Sequence, residues 1–116
     1  MMAGLAAAAR LRKAREFDQV FAARKRIAGQ FFTFVLGPGT GPQARLGLAI
    51  AKKQARHAHE RNLLKRVCRE AFRRLLPQLA PVDIVVLART GADRAARPAL
   101  HADLQHLLAR LETRTP

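Results

Sequence analysis

Cysteine is nearly absent. Among 116 residues there is one, Cys68, so no disulfide can close within the chain. A domain without disulfides suits a reducing setting, and a cytoplasmic protein is expected. Acids are scarce as well: eight Asp and Glu stand against 22 Lys and Arg. They are Glu16, Asp18, Glu60, Glu70, Asp83, Asp93, Asp103 and Glu112, scattered along the chain. A two-metal nuclease needs several carboxylates converging on ions roughly 4 Å apart, and this spacing carries no such signature. No apolar run approaches the roughly 20 residues of a membrane-spanning helix, so no membrane partner is expected. A glycine-rich phosphate loop, a nucleophile elbow and a Cys-x-x-Cys pair are all missing. Together these absences argue against a protein that is a catalyst on its own.

What the chain does have is positive charge. The formal net charge is +14, and arginine outnumbers lysine 17 to 5. Arginine offers a planar fork of donors suited to phosphates and to stacking on bases. A small domain so far from neutrality repels itself when compact, and a polyanion relieves that repulsion. The charge is concentrated in Arg61-Asn62-Leu63-Leu64-Lys65-Arg66-Val67-Cys68-Arg69-Glu70-Ala71-Phe72-Arg73-Arg74. On a helix at about 100° per residue, Arg61, Lys65, Arg69 and Arg73 fall one turn apart, with Asn62 and Arg66 on the same flank. Leu63, Leu64, Val67, Cys68, Ala71 and Leu75 fall on the other side, and Phe72 at the seam. The stretch holds six basic residues and one acid, so it lacks the mixed signs of a self-supporting solvated helix. Like charges at spacing four cost roughly 0.2–0.5 kcal/mol each, a cost that bound phosphates would reverse. Cys68, on the apolar side, reads as a buried, inert thiol.

The length allows one domain with one core. Residues 1–9 are small and apolar, without the basic start or cleavage site of a signal peptide, and read as a disordered tail. From Arg12 to Arg26, Ala14, Phe17, Val20 and Phe21 recur at helical spacing, giving a first helix that ends before Gly29. Phe17 and Phe21 share one of its faces, either packing on a core or forming a platform for bases. Gln30–Leu36 reads as a strand, with Phe32, Phe34 and Leu36 facing one way and Phe31, Thr33 and Val35 the other. A Gly/Pro loop at 37–42 separates it from a second strand, Ala44–Ala51, which suggests an antiparallel hairpin. One side of that second strand (Gly47, Ala49, Ala51) is small enough for a backbone or ligand to approach. The basic helix follows and stops near Leu76, before Pro77 and Pro81. Val82–Leu87 is a buried strand, and Pro98 opens a last amphipathic helix. The expected fold is α+β, a mixed sheet with helices packed on it in the order αββαβα, with a further short strand allowed.

His57-Ala58-His59-Glu60 is the one candidate metal motif. Spacing two does not put both histidines on one helix face, whereas the helical zinc motif needs spacing four. Phosphate contact or a solvated helix entry fits better, and no metal ligand is assigned.

R-N-L-L-K-R-V-C-R-E-A-F-R resembles the signature helix, R-N-x-x-K-R-x-x-R-E-x-F-R, of the protein subunit of bacterial ribonuclease P. The likeness extends from about Arg12 to Arg110. E-F-D-Q-V-F before a basic turn looks like that family's first helix. R-L-G-L-A-I-A-K-K looks like its strand before the signature, H-E-R-N like the lead-in of one branch, and V-D-I-V-V-L-A-R like its last strand. The resemblance implies a ribosomal-protein-S5-like fold with a left-handed βαβ crossover, which the general preference for right-handed crossovers would not suggest. It implies a single RNA-binding domain over 10–112 with a C-terminal tail at 113–116. It also implies a ribonucleoprotein in which an RNA subunit, holding Mg²⁺, removes the 5′ leader of precursor tRNA. The partners would be that catalytic RNA and precursor tRNA, with no protein partner needed and no cofactor required by the protein itself. By position, Arg61, Asn62, Lys65, Arg66, Arg69 and Arg73 match the motif that faces the catalytic RNA. Phe17, Phe21, Phe34, Lys52, Lys53 and Arg89 match the cleft that holds the leader. Aromatics for stacking and cations tracking phosphates make a sequence-tolerant single-strand site.

Two other readings stay open on the sequence: a general RNA-binding protein with no part in tRNA processing, and a protein-only nuclease using a carboxylate such as Glu60 or Glu70. One departure from the signature stands out. Many members carry a basic residue directly after the asparagine, where this chain has Leu63. The lost phosphate contact predicts weaker, more salt-sensitive anchoring, so Leu63→Arg should tighten binding to a ribonuclease P RNA. Unchanged affinity across a salt titration would show that neighbours such as Arg66 and Arg74 already supply the contact.

Overall fold

Two apolar periodicities, two residues in the strands and 3.6 in the helices, meet in a sheet covered on both faces. The computed structural model describes residues 9–113. In chain order the elements are α1 (Ala14–Ala23), β1 (Lys25–Ala28), β2 (Phe32–Pro38), β3 (Arg45–Ala49), α2 (Ala58–Leu75), β4 (Val82–Ala88) and α3 (Arg97–Leu108). Single 3₁₀ turns follow α2 at Leu76–Gln78 and precede α3 at Ala92–Arg94. The four strands lie in the order β1-β2-β4-β3. β1 and β2 are antiparallel, as are β2 and β4, while β3 and β4 run parallel. The fold is therefore α+β with a mixed sheet, as expected, and the further short strand is present.

Two local expectations are corrected. The first helix stops at Ala23 rather than running toward Gly29. Arg24 takes a left-handed conformation, φ 57°, and its N–H reaches the Phe21 carbonyl, which closes the helix. Lys25–Ala28 then extends and pairs with β2 from Lys25↔Leu36 to Ala28↔Thr33. The second correction concerns the hairpin. β2 and β3 are not neighbours, because β4 lies between them. The run V-D-I-V-V-L-A is buried on both faces, and such a strand belongs in the sheet interior. The glycine-containing β3, less fully buried, takes the edge, and α2 becomes the crossover that parallel neighbours require.

On one face Phe32, Phe34, Leu36, Leu46, Ile84 and Val86 pack against Leu64, Val67, Cys68 and Phe72 of α2 and Leu100, Leu104 and Leu107 of α3. On the other, Val35 and Val85 meet Leu11 and Val20 in a much smaller cluster. Phe72, expected at the seam of α2, is fully buried, its ring centroid 5.3 Å from that of Phe34. Leu63, expected on the apolar side, is 37% exposed. The buried arc of α2 centres on the row Leu64–Cys68–Phe72, which leaves Leu63 outside it. Cys68 is buried as expected, and burial pushes its thiol up to about 12, which removes the reactive thiolate at neutral pH.

Two carboxylates tie distant elements together. Asp103 of α3 accepts the backbone N–H groups of Gln30, Phe31 and Phe32 at 2.7, 2.8 and 3.0 Å. The carboxylate sits so close to Gly29 that a Cβ there would lie 2.5 Å from it. Asp83, 3% exposed at the start of β4, takes the fork of Arg45 through Nε and Nη2 at 3.0 and 2.8 Å. Arg45 also donates to Glu16 Oε2 at 3.0 Å and to the Thr40 hydroxyl at 2.8 Å. Glu16 Oε1 accepts the N–H groups of Lys13 and Arg12.

Most of the expected tails, residues 1–8 and 114–116, lie outside the described residues. At their inner edges Ala9 is buried and Thr113 bridges Leu79. Among the described residues no helix is long and apolar enough to cross a membrane.

Asp103→Ala should cost about 2–4 kcal/mol, since it strips charged acceptors from three N–H groups, two of them partly buried. Gly29→Ala should lower the melting temperature by crowding the same carboxylate. Circular-dichroism melts of both variants check this, and wild-type melting of Asp103→Ala would contradict it. A second prediction concerns acid. The Glu16 carboxyl is held down to about 2 by the N–H of Lys13, then that of Arg12, with Arg45 adding. A depressed folded pKa means that the native state binds the proton less readily than the unfolded chain does. Its stabilisation is complete above about pH 4.5 and is lost as the pH falls toward 2. Glu16→Gln should remove that part of the acid sensitivity, seen as a smaller wild-type-minus-variant difference at pH 2 than at pH 6.

Candidate nucleic-acid interface

Helix α2 begins where its own residues close its first turn. Glu60 reaches back to accept the His57 N–H at 3.0 Å, the reciprocal arm of a capping box. Arg61 donates through Nη1 to the carbonyls of Ala55 and Arg56, both at 3.0 Å. Thus Arg61 is half-buried and holds the lead-in to the helix, a duty its basic character did not reveal. Lys65 and Arg69 follow it along the same half-buried shoulder, while Asn62, Arg66 and Arg73 stand exposed. The six residues assigned to the RNA-facing motif therefore form one stripe from shoulder to open face. His57 and His59 stack with ring centroids 5.6 Å apart, and the Glu60 carboxylate is engaged by the His57 backbone N–H.

Almost none of this charge is neutralised internally. Among the described residues Arg45 is the only arginine or lysine in an ion pair. Arg10 was not singled out from the sequence, and it joins the stripe in space. A concavity of about 150 Å³ brings Arg10, Lys65 and Arg69 together with Phe17, Leu46 and Leu48. The parallel bridge Arg10↔Leu46, with the Leu11 N–H bonded to the Leu46 carbonyl at 2.9 Å, puts it there, a long-range pairing without a local signature.

The second site lies across the sheet. Helix α1 crosses the end of the sheet that carries Arg45 and Asp83. A Cβ on Gly47 would lie 2.7 Å from the Phe17 ring, and one on Gly37 would lie 3.0 Å from the Cα of Val20. Only glycine allows so close an approach. The small face of β3 thus receives a side chain of α1 at Gly47. Beyond α1 the same face stays open. Ala28, Thr33, Leu87 and Ala49 stand in one transverse row over all four strands, and none of them is fully buried. This row is the floor of a trench, and the half-buried Phe17 and Phe21 form its wall. Because β3 and β4 are parallel, the segments leaving them emerge at one edge. Lys52 and Lys53 after β3 and Arg89 after β4 therefore collect along the far side of the trench, all exposed. Backbone pairing fixes Arg89, whose N–H donates to the Phe31 carbonyl at 2.8 Å.

Phe34 is the exception among the predicted cleft residues. It is 0% exposed and points to the opposite face, against Phe72. No face of its ring is available to a base, so it is a core residue. The floor residues Thr33 and Leu87 are the ones that sequence reasoning left out. Alternation from the buried Phe32, Phe34 and Val86 would have placed them.

The family model described as Ribonuclease P matches residues 5–112. The ribonuclease P protein component of Aromatoleum aromaticum is 45% identical over 101 residues, covering 87% of this chain and 85% of the relative. That of Thioalkalivibrio sulfidiphilus is 41% identical over 113 residues, covering 95% and 92%. Among solved structures, the RNase P protein of Staphylococcus aureus superposes with a TM-score of 0.81 at 26% identity, covering 89% of this chain and 96% of that one. The RNase P protein of Thermotoga maritima gives 0.77 at 31% identity, covering 89% and 97%. A sheet of this order, a basic crossover helix and a trench beside a short first helix thus coincide with a match over nearly the whole sequence, and the chain belongs to the family of ribonuclease P protein components, the protein subunits of the enzyme that processes the 5′ end of tRNA.

Proposed function

We propose that this chain is the non-catalytic partner of a catalytic RNA, with the α2 stripe gripping that RNA and the trench holding the single-stranded 5′ leader of precursor tRNA. The observation that carries the reading is the trench itself. Two phenylalanine rings wall one side, three unpaired cations line the other, and the floor of Ala28, Thr33, Leu87 and Ala49 is uncharged. Bases can stack on such a wall whatever their sequence, while phosphates track the cations. Neutralising phosphates releases counterions, so binding should weaken steeply with salt.

The residues around the trench do not suit a divalent ion. Mg²⁺ prefers hard oxygen ligands in octahedral array, and the trench offers ammonium, guanidinium, hydrocarbon and the single hydroxyl of Thr33, with no carboxylate. The ion required for cleavage is therefore assigned to the RNA subunit, and the protein contributes binding, orientation and charge relief. Asn62, Arg66 and Arg73 make the outer RNA contacts, and Lys65 and Arg69 the inner ones. Arg61 contacts RNA only through the donors it does not spend on Ala55 and Arg56. The complex works in the cytoplasm and needs no protein partner.

The test is reconstitution of the purified chain with a bacterial ribonuclease P RNA and 5′-labelled precursor tRNA at low Mg²⁺, with each component alone as control. Cleavage at the mature 5′ end only with both present is the expected result. Binding without rescue would favour a general RNA-binding protein, and cleavage by the chain alone a protein nuclease. Within the active mixture Phe17→Ala should weaken leader-dependent binding by about 1–3 kcal/mol, the worth of one stacked base, without changing the fold. Phe34→Ala should instead destabilise the protein by about 3–5 kcal/mol. A leader-specific loss in Phe34→Ala at full stability would contradict its placement.

A further inference from the structure

We infer that Arg45 is a positioning residue for the leader trench, setting the height of its aromatic wall through Glu16; the inference rests on the leader-binding reading above. The wall is α1, and apolar burial holds it weakly. Among the described residues, only Leu11, Val20, Val35 and Val85 are buried in the cluster between it and the sheet, with Phe17, Phe21, Ala49 and Leu87 partly buried against them. Besides the Leu11 N–H bond to the Leu46 carbonyl just before the helix, the polar restraint converges on one guanidinium. Nε and Nη2 of Arg45 grip Asp83 at 3.0 and 2.8 Å, which fixes the guanidinium to the central strand. Its Nη1 holds Glu16 Oε2 at 3.0 Å. The other oxygen of Glu16 accepts the N–H groups of Arg12 and Lys13 at the start of α1. Strand and helix are thus joined through a planar group with fixed donor directions, which a lysine cannot reproduce.

Phe17 is the residue after Glu16, and its ring stands over Gly47, two residues along β3 from Arg45. The clamp and the ring therefore belong to one local unit. With the clamp intact, the ring sits at the depth that the missing Cβ of Gly47 permits. Without it, α1 can shift on its small cluster, and the separation between Phe17 and the Lys52, Lys53 and Arg89 edge is no longer fixed. Displacement of about 1 Å at a positioning group can cost as much as a hundredfold. Because Arg45 is neutralised by two carboxylates, it is not itself a free phosphate contact.

The experiment uses the reconstituted enzyme and two precursor tRNAs, one with a long single-stranded leader and one with a single-nucleotide leader. For wild type, kcat/KM should favour the long leader. In Arg45→Met that preference should fall about tenfold, while the short-leader rate and the affinity for the catalytic RNA stay unchanged. Arg45→Lys should recover only part of it. Should Arg45→Met fail to fold, Glu16→Gln decides, since it leaves the Arg45–Asp83 fork in place and loosens the link to α1, while its one amide oxygen can still accept the Arg12 and Lys13 N–H groups. Wild-type leader preference in folded Arg45→Met and Glu16→Gln overturns the inference and leaves the trench reading standing. Wild-type enzyme that is indifferent to leader length overturns the trench reading itself, and the inference with it. Equal loss on both substrates would mark Arg45 as merely structural and would also overturn it.

Discussion

The burial of β4 on both faces governs the rest of the molecule. A strand with Ile84, Val85 and Val86 all inaccessible needs cover above and below and a paired neighbour on either side. The two covers are unequal. On one face α2 and α3 supply a large leucine-rich layer. On the other α1, with ten residues, reaches only part of the way across. The uncovered remainder is the trench. Its position follows from a mismatch between the width of the sheet and the length of the helix laid on it, and the parallel pairing of β3 with β4 then brings the cations to its rim.

Charge acts as the second constraint, and it works by being left unsatisfied. Where the chain needs an ion pair to hold its fold, it uses acids: Asp83 and Glu16 on Arg45. Asp103 is spent on backbone N–H groups instead, and Glu60 on the start of α2. These four are half of all the acids in the sequence. Few remain to offset the arginines of α2, so a like-charged surface persists that only an external polyanion can quiet. The scarcity of acids and the basic surface are one fact seen from inside and from outside.

How much of this was legible in the sequence varied with the range of the interaction. The basic helix was readable because its charges and its apolar residues repeat at helical spacing, and the strands because their side chains alternate. The order of the sheet was not, since nothing local says that β4 will insert between β2 and β3. Phe34 shows a different failure. Alternation had already put it on the same side as Phe32 and Leu36, away from Thr33 and Val35, yet family resemblance assigned it to the cleft. The local pattern was the better guide. Phe17 and Phe21 gave no such warning, because a helix face over a narrow cluster leaves rings half-covered. Arg61 read correctly as a basic residue of the stripe, but its bonds to Ala55 and Arg56 depend on how the lead-in folds back. Arg10 and Arg45 act through partners distant in sequence, and no spacing rule marks them.

The turn around Gln30–Phe32 has a consequence for the order in which the chain can fold. Its three N–H groups find their acceptor in Asp103, which is 73, 72 and 71 residues away. During synthesis the first strands emerge long before α3, and that turn must remain hydrated until nearly the whole chain is available. The same delay applies to β2, whose inner neighbour is β4 rather than the nearby β3. Contacts of such long sequence separation must overcome loop-closure entropy before they return any stabilisation, which slows folding. The native arrangement is therefore a late, cooperative event, in which the last helix both covers the core and supplies the carboxylate that closes the first turn of the sheet.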